Sequence, residues 1–326
     1  MYRLWEGDAT WGDTRPFAER ICDAVQVELA GKTPATLFAW NTWQAPNGDL
    51  QPFGVVKPDI DKIHAALGPA VIPMLEWSLA SSARPITTKD VASGTLDGYI
   101  EQYARDVKQY GQPLFIRLIC GEFNGNWWRW CSPKANPRLT RQDFVNAWRR
   151  VVDIFRKEGT SNVAWLWNPV APAPWAQDSG WDLDWQAYYP GDDYVDWVGA
   201  DLNDWGKPAW LDPVYEFAVA HAKPMFLTEF GIRDGLSDHE QITAWLGAMF
   251  DYVESHPQVK AISACNNKTW PDNDLGSGEH VWLYDRQVNY RPDVNDQDTR
   301  LLAGGTDIRA LFAGRISDPR YVVATP

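Results

Sequence analysis

The chain has 326 residues, of which 45% are hydrophobic and 22% charged, a composition typical of a folded protein and not of a disordered or fibrous one. Thirty Lys and Arg residues against 43 Asp and Glu residues give a formal charge of −13. Such a field repels nucleic-acid phosphates and acidic lipid surfaces, so neither a nucleic acid nor a membrane is expected as a partner.

Eight short apolar runs alternate with amphipathic stretches along the chain. The runs lie near 2–5 and at 35–40, 70–77, 113–120, 163–167, 194–199, 224–228 and 259–264. The amphipathic stretches, predicted as helices, lie near 15–30, 58–67, 97–110, 140–158, 211–222 and 238–255. Runs that are apolar without alternation are typical of strands covered on both faces.

This alternation of elements predicts parallel strands joined by crossover helices. Eight such repeats predict an α/β fold, a (β/α)₈ TIM barrel in a single domain. We expect the barrel to span residues 1–316 and a C-terminal tail to follow at 317–326. A doubly wound sheet is the alternative architecture.

Tryptophan and cysteine usage adds two expectations. The 20 tryptophans exceed what a core of this size needs, and indole rings stack well on sugars, so we expect a minority of them in a binding cleft. The four cysteines, Cys22, Cys120, Cys131 and Cys265, have no metal-binding or redox spacing. They are predicted to be buried free thiols.

Several common chemistries lack their usual residues in this sequence. It contains no dinucleotide-binding glycine motif, no serine nucleophile elbow and no histidine pair at metal-ligand spacing. The oxygen-rich segment from Asp272 to Glu279 leaves calcium binding open, although such segments are usually solvated loops. We therefore expect neither a catalytic metal nor an organic cofactor.

Two glutamates stand where a barrel of this kind places its chemistry, at the C-terminal ends of strands. Glu122 follows the run 113–120, and Glu229 follows the run 224–228; by count these are strands 4 and 7. A single glutamate at a strand end is usually salt-bridged or caps a helix. Two of them, each beside glycine and aromatic residues, favour a catalytic pair.

The sequence around each glutamate resembles a motif of glycoside hydrolase family 26. The segment IRLICGEFNGNWWRW at 116–130 is similar to the acid/base motif of that family, and FLTEFG at 226–231 to its nucleophile strand. Further similarity to its strands 5, 6 and 8 lies at 163–169, 189–201 and 266–270. The resemblance implies a clan A barrel that hydrolyses β-linked polysaccharide with retention, most often β-mannan and less often β-glucan or β-xylan. It assigns Glu122 as acid/base and Glu229 as nucleophile.

The chain departs from the family pattern at three places. Cys120 and Gly121 stand where the family has a histidine, and Arg117 precedes Glu122 by five residues instead of four, which predicts an inserted residue or a bulge. Leu202 occupies the place of a tyrosine that usually follows the strand 6 aspartate. Loss of the imidazole predicts open space beside Glu122 and weak activity on plain β-mannan. The alternative is that an aromatic residue of the 127–130 loop fills the gap and gives ordinary mannanase activity.

Other polar and aromatic residues of these loops are candidate site residues. Arg117 is expected inside the barrel beneath the carboxylates, where its charge keeps Glu229 ionised; a structural ion pair is the alternative. Substrate contacts are predicted for two asparagines and four tryptophans, with loop turns as the alternative for the asparagines and core packing for Trp167: Asn124, Asn203, Trp127, Trp128, Trp167 and Trp270. Retention predicts carboxyl groups about 5–5.5 Å apart.

Two other functions remain open at this point. One is a barrel that binds glycan without cleaving it, because the missing histidine is what such a protein would show. The other is a different clan A family with another polysaccharide substrate. In each case the expected partner is a polysaccharide or oligosaccharide and the protein is a monomer. The compartment stays open, since secretion would require a leader peptide that this sequence does not show.

Overall fold

The computed structural model describes residues 2–3, 32–45, 47–79, 85–173, 180–203, 206–231, 239–265 and 308–321. Eight parallel strands in these ranges form a closed barrel in chain order, in which the first strand pairs with both the second and the eighth. The predicted (β/α)₈ barrel is thereby confirmed. The strands are β1 (Tyr2–Arg3), β2 (Thr36–Thr42), β3 (Ile72–Ser78), β4 (Leu114–Ile119), β5 (Val163–Trp167), β6 (Trp197–Asn203), β7 (Met225–Gly231) and β8 (Val259–Cys265).

Helices cover the outside of the barrel, as the amphipathic stretches predict. The predicted helix at 15–30 lies outside the described residues, and a short helix at 88–93 and one at 308–316 were not predicted. No helix in the described ranges is both long and apolar enough to cross a bilayer. The helices are α1 (Lys57–Leu67), α2 (Thr88–Ser93), α3 (Asp97–Tyr110), α4 (Arg141–Lys157), α5 (Asp212–Ala220), α6 (His239–Ser255) and α7 (Ile308–Ile316).

Two strand boundaries differ from the prediction in a way that matters for the site. A 3-10 turn at Asp192–Tyr194 takes up the start of the apolar run predicted as strand 6, so β6 begins at Trp197 and extends to Asn203. Strand β7 runs to Gly231, so Glu229 lies within the strand and not after it. Polar residues that pattern analysis assigns to loops are therefore held by sheet hydrogen bonds.

The interior of the barrel changes from apolar to charged along the strand direction. A buried apolar cluster takes one residue from each of five strands: Phe38, Met74, Phe115, Leu166 and Phe226. Side chains of a strand alternate between its faces, so the residue two positions further on faces the same interior. Those residues are Glu76 on β3, Arg117 on β4 and Asn168 directly after β5, all buried. An apolar plug therefore supports a polar layer at the C-terminal end.

Helix α4 supports the loop that follows β4. Its N-cap is Thr140, whose hydroxyl accepts from the amide of Asp143 at 3.0 Å while the Asp143 carboxylate accepts from the amide of Thr140 at 2.8 Å. Its buried Phe144 lies 4.6 Å, between ring centroids, from the fully buried Phe123. Because Phe123 directly follows Glu122, this packing fixes one side of the loop that carries the glutamate.

The prediction of free thiols is wrong for two of the four cysteines. Cys120, directly after β4, and Cys131, in the following loop, are buried and joined by a disulfide. Their separation of 11 residues is not a characteristic spacing, so the pairing could not be predicted from the sequence. The crosslink ties the end of β4 to the tryptophan-rich loop.

We expect Cys131→Ala to lower the free energy of unfolding by about 2–3 kcal/mol, because a crosslink that closes a short loop restricts the unfolded chain. Urea denaturation with and without reductant measures this difference. Reductant should destabilise the wild type by a similar amount and leave the variant unchanged. A wild type whose free energy of unfolding is the same with and without reductant would contradict the disulfide.

Candidate active site

The site is organised around one buried guanidinium. Arg117, on β4, is 4% exposed and pairs with carboxylates from three other strands. Its Nη1 lies 3.0 Å from Oε1 of Glu229 on β7, its Nε lies 3.2 Å from Oε2 of Glu76 on β3, and its Nη2 donates to Asp201 on β6. A single cation thus joins strands from both sides of the barrel mouth.

These neighbouring carboxylates stabilise the charged form of Arg117. Burial alone would lower the pKa of the guanidinium, but the negative charges of Asp201, Glu76, Glu229 and Glu122 together raise it above its ordinary value. The contribution of Glu122 places that carboxylate within the same electrostatic field as Glu229. The negative charges of both glutamates singled out in the sequence therefore stabilise the charged form of Arg117.

Asp201 is the most deeply buried carboxylate of the group. It is fully buried, and it accepts hydrogen bonds from Nδ2 of Asn168 at 3.0 Å and from the hydroxyl of Thr228 at 2.5 Å, in addition to Arg117. Burial raises its pKa to about 7; the positive charge of Arg117 opposes that rise, and the negative charge of Glu229 adds to it. Burial therefore makes Asp201 easier to protonate than an ordinary aspartate.

A register shift between β6 and β7 sets the position of Glu229. Ala200 pairs with Leu227, but the next residue, Asp201, pairs with Glu229, so Thr228 is an extra residue on β7. A bulge of this kind re-aims the side chains around it. Thr228 turns to Asp201, and the Glu229 side chain, 15% exposed, reaches both Arg117 and solvent.

Glu122 is held by an unusual backbone three residues beyond β4. Ile119 and Glu122 have positive φ values of 72° and 56°, which L-residues rarely adopt. The amide of Glu122 donates to the carbonyl of Asn168 at 2.8 Å, and its carbonyl accepts from Gly125 at 2.9 Å. The pairing of β4 with β3 is continuous from Phe115 to Ile119, so the extra residue before Glu122 is accommodated after the strand and not by a bulge within it.

The expectation of open space beside Glu122 is wrong. A Cβ on Gly121 would lie 1.6 Å from Nη2 of Arg117, so the guanidinium fills the volume that a side chain would take. The indole of Trp128 covers the other side, where its N–H donates to the carbonyl of Gly121 at 2.8 Å. The glycine therefore makes room for Arg117.

Two predicted substrate contacts belong to the protein interior. Trp167 is fully buried, with ring centroids 5.1 Å from Phe123 and 5.5 Å from Phe217, so the prediction of a sugar platform at this position is wrong. Asn124 is also buried: its Oδ1 accepts from the amide of Val170 at 2.9 Å and its Nδ2 donates to the carbonyl of Asp182 at 3.3 Å. It connects the loops after β4 and β5 and does not face substrate.

The remaining aromatic candidates lie at the rim. Trp127 and Trp128 are partly exposed and contact each other edge to face, and the ring centroid of Trp127 lies 5.3 Å from that of Trp181. Asn203 ends β6, but its side chain lies outside the described part of the chain. Trp270 and the acidic segment 272–279 also lie outside it. Their predicted roles therefore remain predictions.

Sequence analysis missed two of the three carboxylates that contact Arg117. Glu76 stands inside the run 70–77, and Asp201 inside the run that β6 forms, where charged residues are read as interruptions of a strand. The signal was available in the spacing, because Glu76 lies two residues after the interior Met74 and Asp201 two after Gly199. A charged residue on the interior face near the end of a buried strand indicates a site.

Known proteins resemble this chain over much of its length. Residues 82–269, more than half of the chain, match the model of glycosyl hydrolase family 26. Endoglucanase H of Acetivibrio thermocellus is 28% identical over 231 residues, which cover 68% of this chain and 23% of that protein. Mannan endo-1,4-beta-mannosidase A and B of Caldalkalibacillus mannanilyticus is 24% identical over 209 residues, which cover 62% and 37%. The chain thus spans less than two fifths of the length of either relative.

Solved structures agree on the fold. The family 26 β-mannanase of Bacteroides ovatus superposes with a TM-score of 0.60 and 15% identity, covering 99% of this chain and 89% of that one. At that identity the similarity establishes the architecture alone. The family model, by contrast, matches the segment that contains Arg117, Glu122, Asp201 and Glu229. The chain belongs to glycosyl hydrolase family 26.

Proposed function

We propose that this protein hydrolyses a β-linked polysaccharide with retention of configuration, with Glu122 as acid/base and Glu229 as nucleophile. The observation that carries the proposal is the position of the guanidinium: Arg117 pairs with Glu229 at 3.0 Å and lies against Gly121, the residue before Glu122. Two carboxyl groups near one buried cation at the C-terminal end of a barrel suit an oxocarbenium-like transition state. Membership of family 26 excludes the other clan A families considered from the sequence.

The first chemical step forms a covalent ester. A carboxylate oxygen of Glu229 attacks the anomeric carbon, the glycosidic bond breaks, and Glu122 gives its proton to the leaving oxygen. In the second step Glu122 takes a proton from water, the water oxygen attacks the anomeric carbon, and Glu229 leaves as a carboxylate. Both steps invert the anomeric centre, so the net result is retention, and the two carboxyl groups need no cofactor.

Arg117 and Asp201 act on the charge of the nucleophile. With Asp201 protonated, Arg117 offers its charge chiefly to Glu229 and Glu76; with Asp201 ionised, three carboxylates share it. Attack by Glu229 removes one negative charge from this set, and loss of the sugar restores it. The guanidinium thus compensates a charge that appears and disappears during each turnover.

A β-glucan is the substrate we propose before β-mannan. The relative that is 28% identical is named an endoglucanase, and the site lacks the histidine and tyrosine of the family pattern from which β-mannan is inferred. Trp127 and Trp128 are proposed to stack on sugar rings at the rim. Asn203 and Trp270 remain proposed substrate contacts at the ends of strands 6 and 8.

A panel of β-glucan, β-mannan and β-xylan tests the proposed activity. We expect reducing ends to be released fastest from β-glucan, and proton NMR should show the β-anomer of the product before mutarotation. Appearance of the α-anomer first would indicate inversion and contradict the double displacement. Retardation in affinity gels containing one of these glycans, without release of reducing ends, would instead support the alternative of a glycan-binding barrel.

Replacement of either glutamate should abolish efficient turnover, because Glu122 supplies the proton for the leaving oxygen and Glu229 supplies the attacking carboxylate. Glu122→Ala should lower kcat/KM by about 10²–10⁴-fold, the usual contribution of a general acid. On an aryl glycoside whose leaving group needs no proton, azide, which needs no base, should then rescue turnover of Glu122→Ala and give a β-glycosyl azide, whereas rescue of Glu229→Ala should give the α-azide. Glu240→Ala, at an exposed position of α6, is the matched control and should retain wild-type kinetics. Wild-type activity in either site variant contradicts the assignment.

The raised pKa of Asp201, about 7 against 3.8 for the ordinary group, predicts a pH-dependent stability. Between these values the native state holds a proton that the unfolded state has lost, so this group destabilises the fold increasingly as the pH rises from about 4 to 7. The stability of the wild type relative to Asp201→Asn should therefore fall across this window, by at most about 1.4 kcal/mol per pH unit, and be constant above it. Urea denaturation of both proteins across that range measures it; a constant difference contradicts the shift.

A further inference from the structure

We infer that Glu76 positions the proposed acid/base Glu122, acting through the backbone amide of Gly121. The inference rests on the proposed function, since it assigns Glu76 a part in the same reaction. Glu76 lies on β3, in register with Arg117 on β4, and it is 5% exposed. It is a positioning residue, because its contacts are with the protein and not with the reacting atoms.

The two oxygens of Glu76 bind two different parts of the site. Oε1 accepts a hydrogen bond from the amide of Gly121 at 3.1 Å, and Oε2 lies 3.2 Å from Nε of Arg117. Gly121 directly precedes Glu122, and Arg117 pairs with Glu229. One buried carboxylate therefore joins the backbone that carries the proposed acid to the cation that pairs with the proposed nucleophile.

The amide of Gly121 is a point at which a side chain holds this backbone, in addition to the Gly121 carbonyl, which accepts from the indole of Trp128. The amide of Cys120 donates to the carbonyl of Leu118 at 2.9 Å, and the amide of Glu122 donates to the carbonyl of Asn168 at 2.8 Å. Those two bonds join main-chain groups, whereas the bond from Gly121 ends on the side chain of Glu76. It lies between two residues with positive φ, where the chain is strained and is kept in place only by its surroundings.

The site requires a carboxylate at this position and not an amide. The amide of Gly121 donates a hydrogen bond to Oε1 of Glu76, and Oε2 forms an ion pair with the guanidinium of Arg117, so both contacts need a negatively charged oxygen. A glutamine would direct its NH₂ group at one of them and would lose the charge pairing with Arg117. A small displacement of a proton donor lowers the rate strongly, since a misplacement of about 1 Å costs on the order of 10²-fold in rate.

A leaving-group comparison separates positioning of the acid from a general structural effect. An unactivated oligosaccharide needs protonation of its leaving oxygen, whereas a dinitrophenyl glycoside of the same sugar departs without it. We expect Glu76→Gln to lower kcat/KM by about 10²-fold on the oligosaccharide and by less than about tenfold on the activated glycoside. Equal losses on the two substrates would overturn the inference.

Asp201→Asn is the matched control for the charge on Arg117. It removes one carboxylate from the same guanidinium and leaves the amide of Gly121 untouched. We expect it to lower kcat/KM on both substrates to a similar degree. A loss confined to the unactivated substrate in this control as well would assign the effect to the contacts of Asp201 with Arg117 and Asn168 and overturn the role of the Gly121 bond.

Two further variants keep the experiment decisive. Glu76→Asp retains the charge and is one methylene shorter, so it should fold and show the same selective loss; near-ultraviolet circular dichroism of the many tryptophans verifies the fold. If it folds and loses activity equally on both substrates, the inference is wrong. Glu122→Ala is the reference variant. If it shows no selective loss on the oligosaccharide, the proposed function fails. If it shows this loss and neither Glu76 variant shows it, only the inference fails.

Discussion

The guanidinium of Arg117 is a buried charge, and a buried charge is tolerated only when it is paired and hydrogen-bonded. Four features of the site meet that requirement. Glu76, Asp201 and Glu229 supply three carboxylates from three strands, and the absence of a side chain at Gly121 leaves the necessary volume. Removal of any of the three carboxylates would leave part of the charge of Arg117 uncompensated. The positions of the strands and the chemistry of the site therefore depend on the same interaction.

The period of the β-strand explains why this charge layer lies where it does. Phe115 and Arg117 face the same interior from one strand, as do Met74 and Glu76 from the next. The apolar residues fill the lower barrel and exclude water from beneath the charges, which strengthens the electrostatic interactions above them. Desolvation from the same packing is the main reason that the pKa of Asp201 is raised to about 7. The core thus sets the electrostatics of the site that it supports.

The sequence predicts the barrel and the two strand-end glutamates because both follow from periodic patterns and strand order. It fails where the outcome depends on the path of a side chain. The space at Gly121 is filled by Arg117, four positions earlier. Trp167, whose indole ring would suit a sugar-binding cleft, packs against Phe217 on a helix. The disulfide between Cys120 and Cys131 likewise joins positions with no characteristic spacing. Such features are fixed by tertiary packing and leave no local signal.

Both proposed catalytic glutamates lie at departures from regular backbone geometry. Glu122 has a positive φ of 56°, and Glu229 follows the extra residue that shifts the register of β7. Such backbone persists only where surrounding contacts over-determine it. The contacts that do so here lead back to one cluster: Asn168 accepts from the amide of Glu122 and donates to Asp201, and Thr228, the extra residue itself, also donates to Asp201. The buried carboxylate that holds the shift in β7 is therefore linked through a single asparagine to the loop after β4, so the two glutamates are placed by one connected network and not by two separate loops.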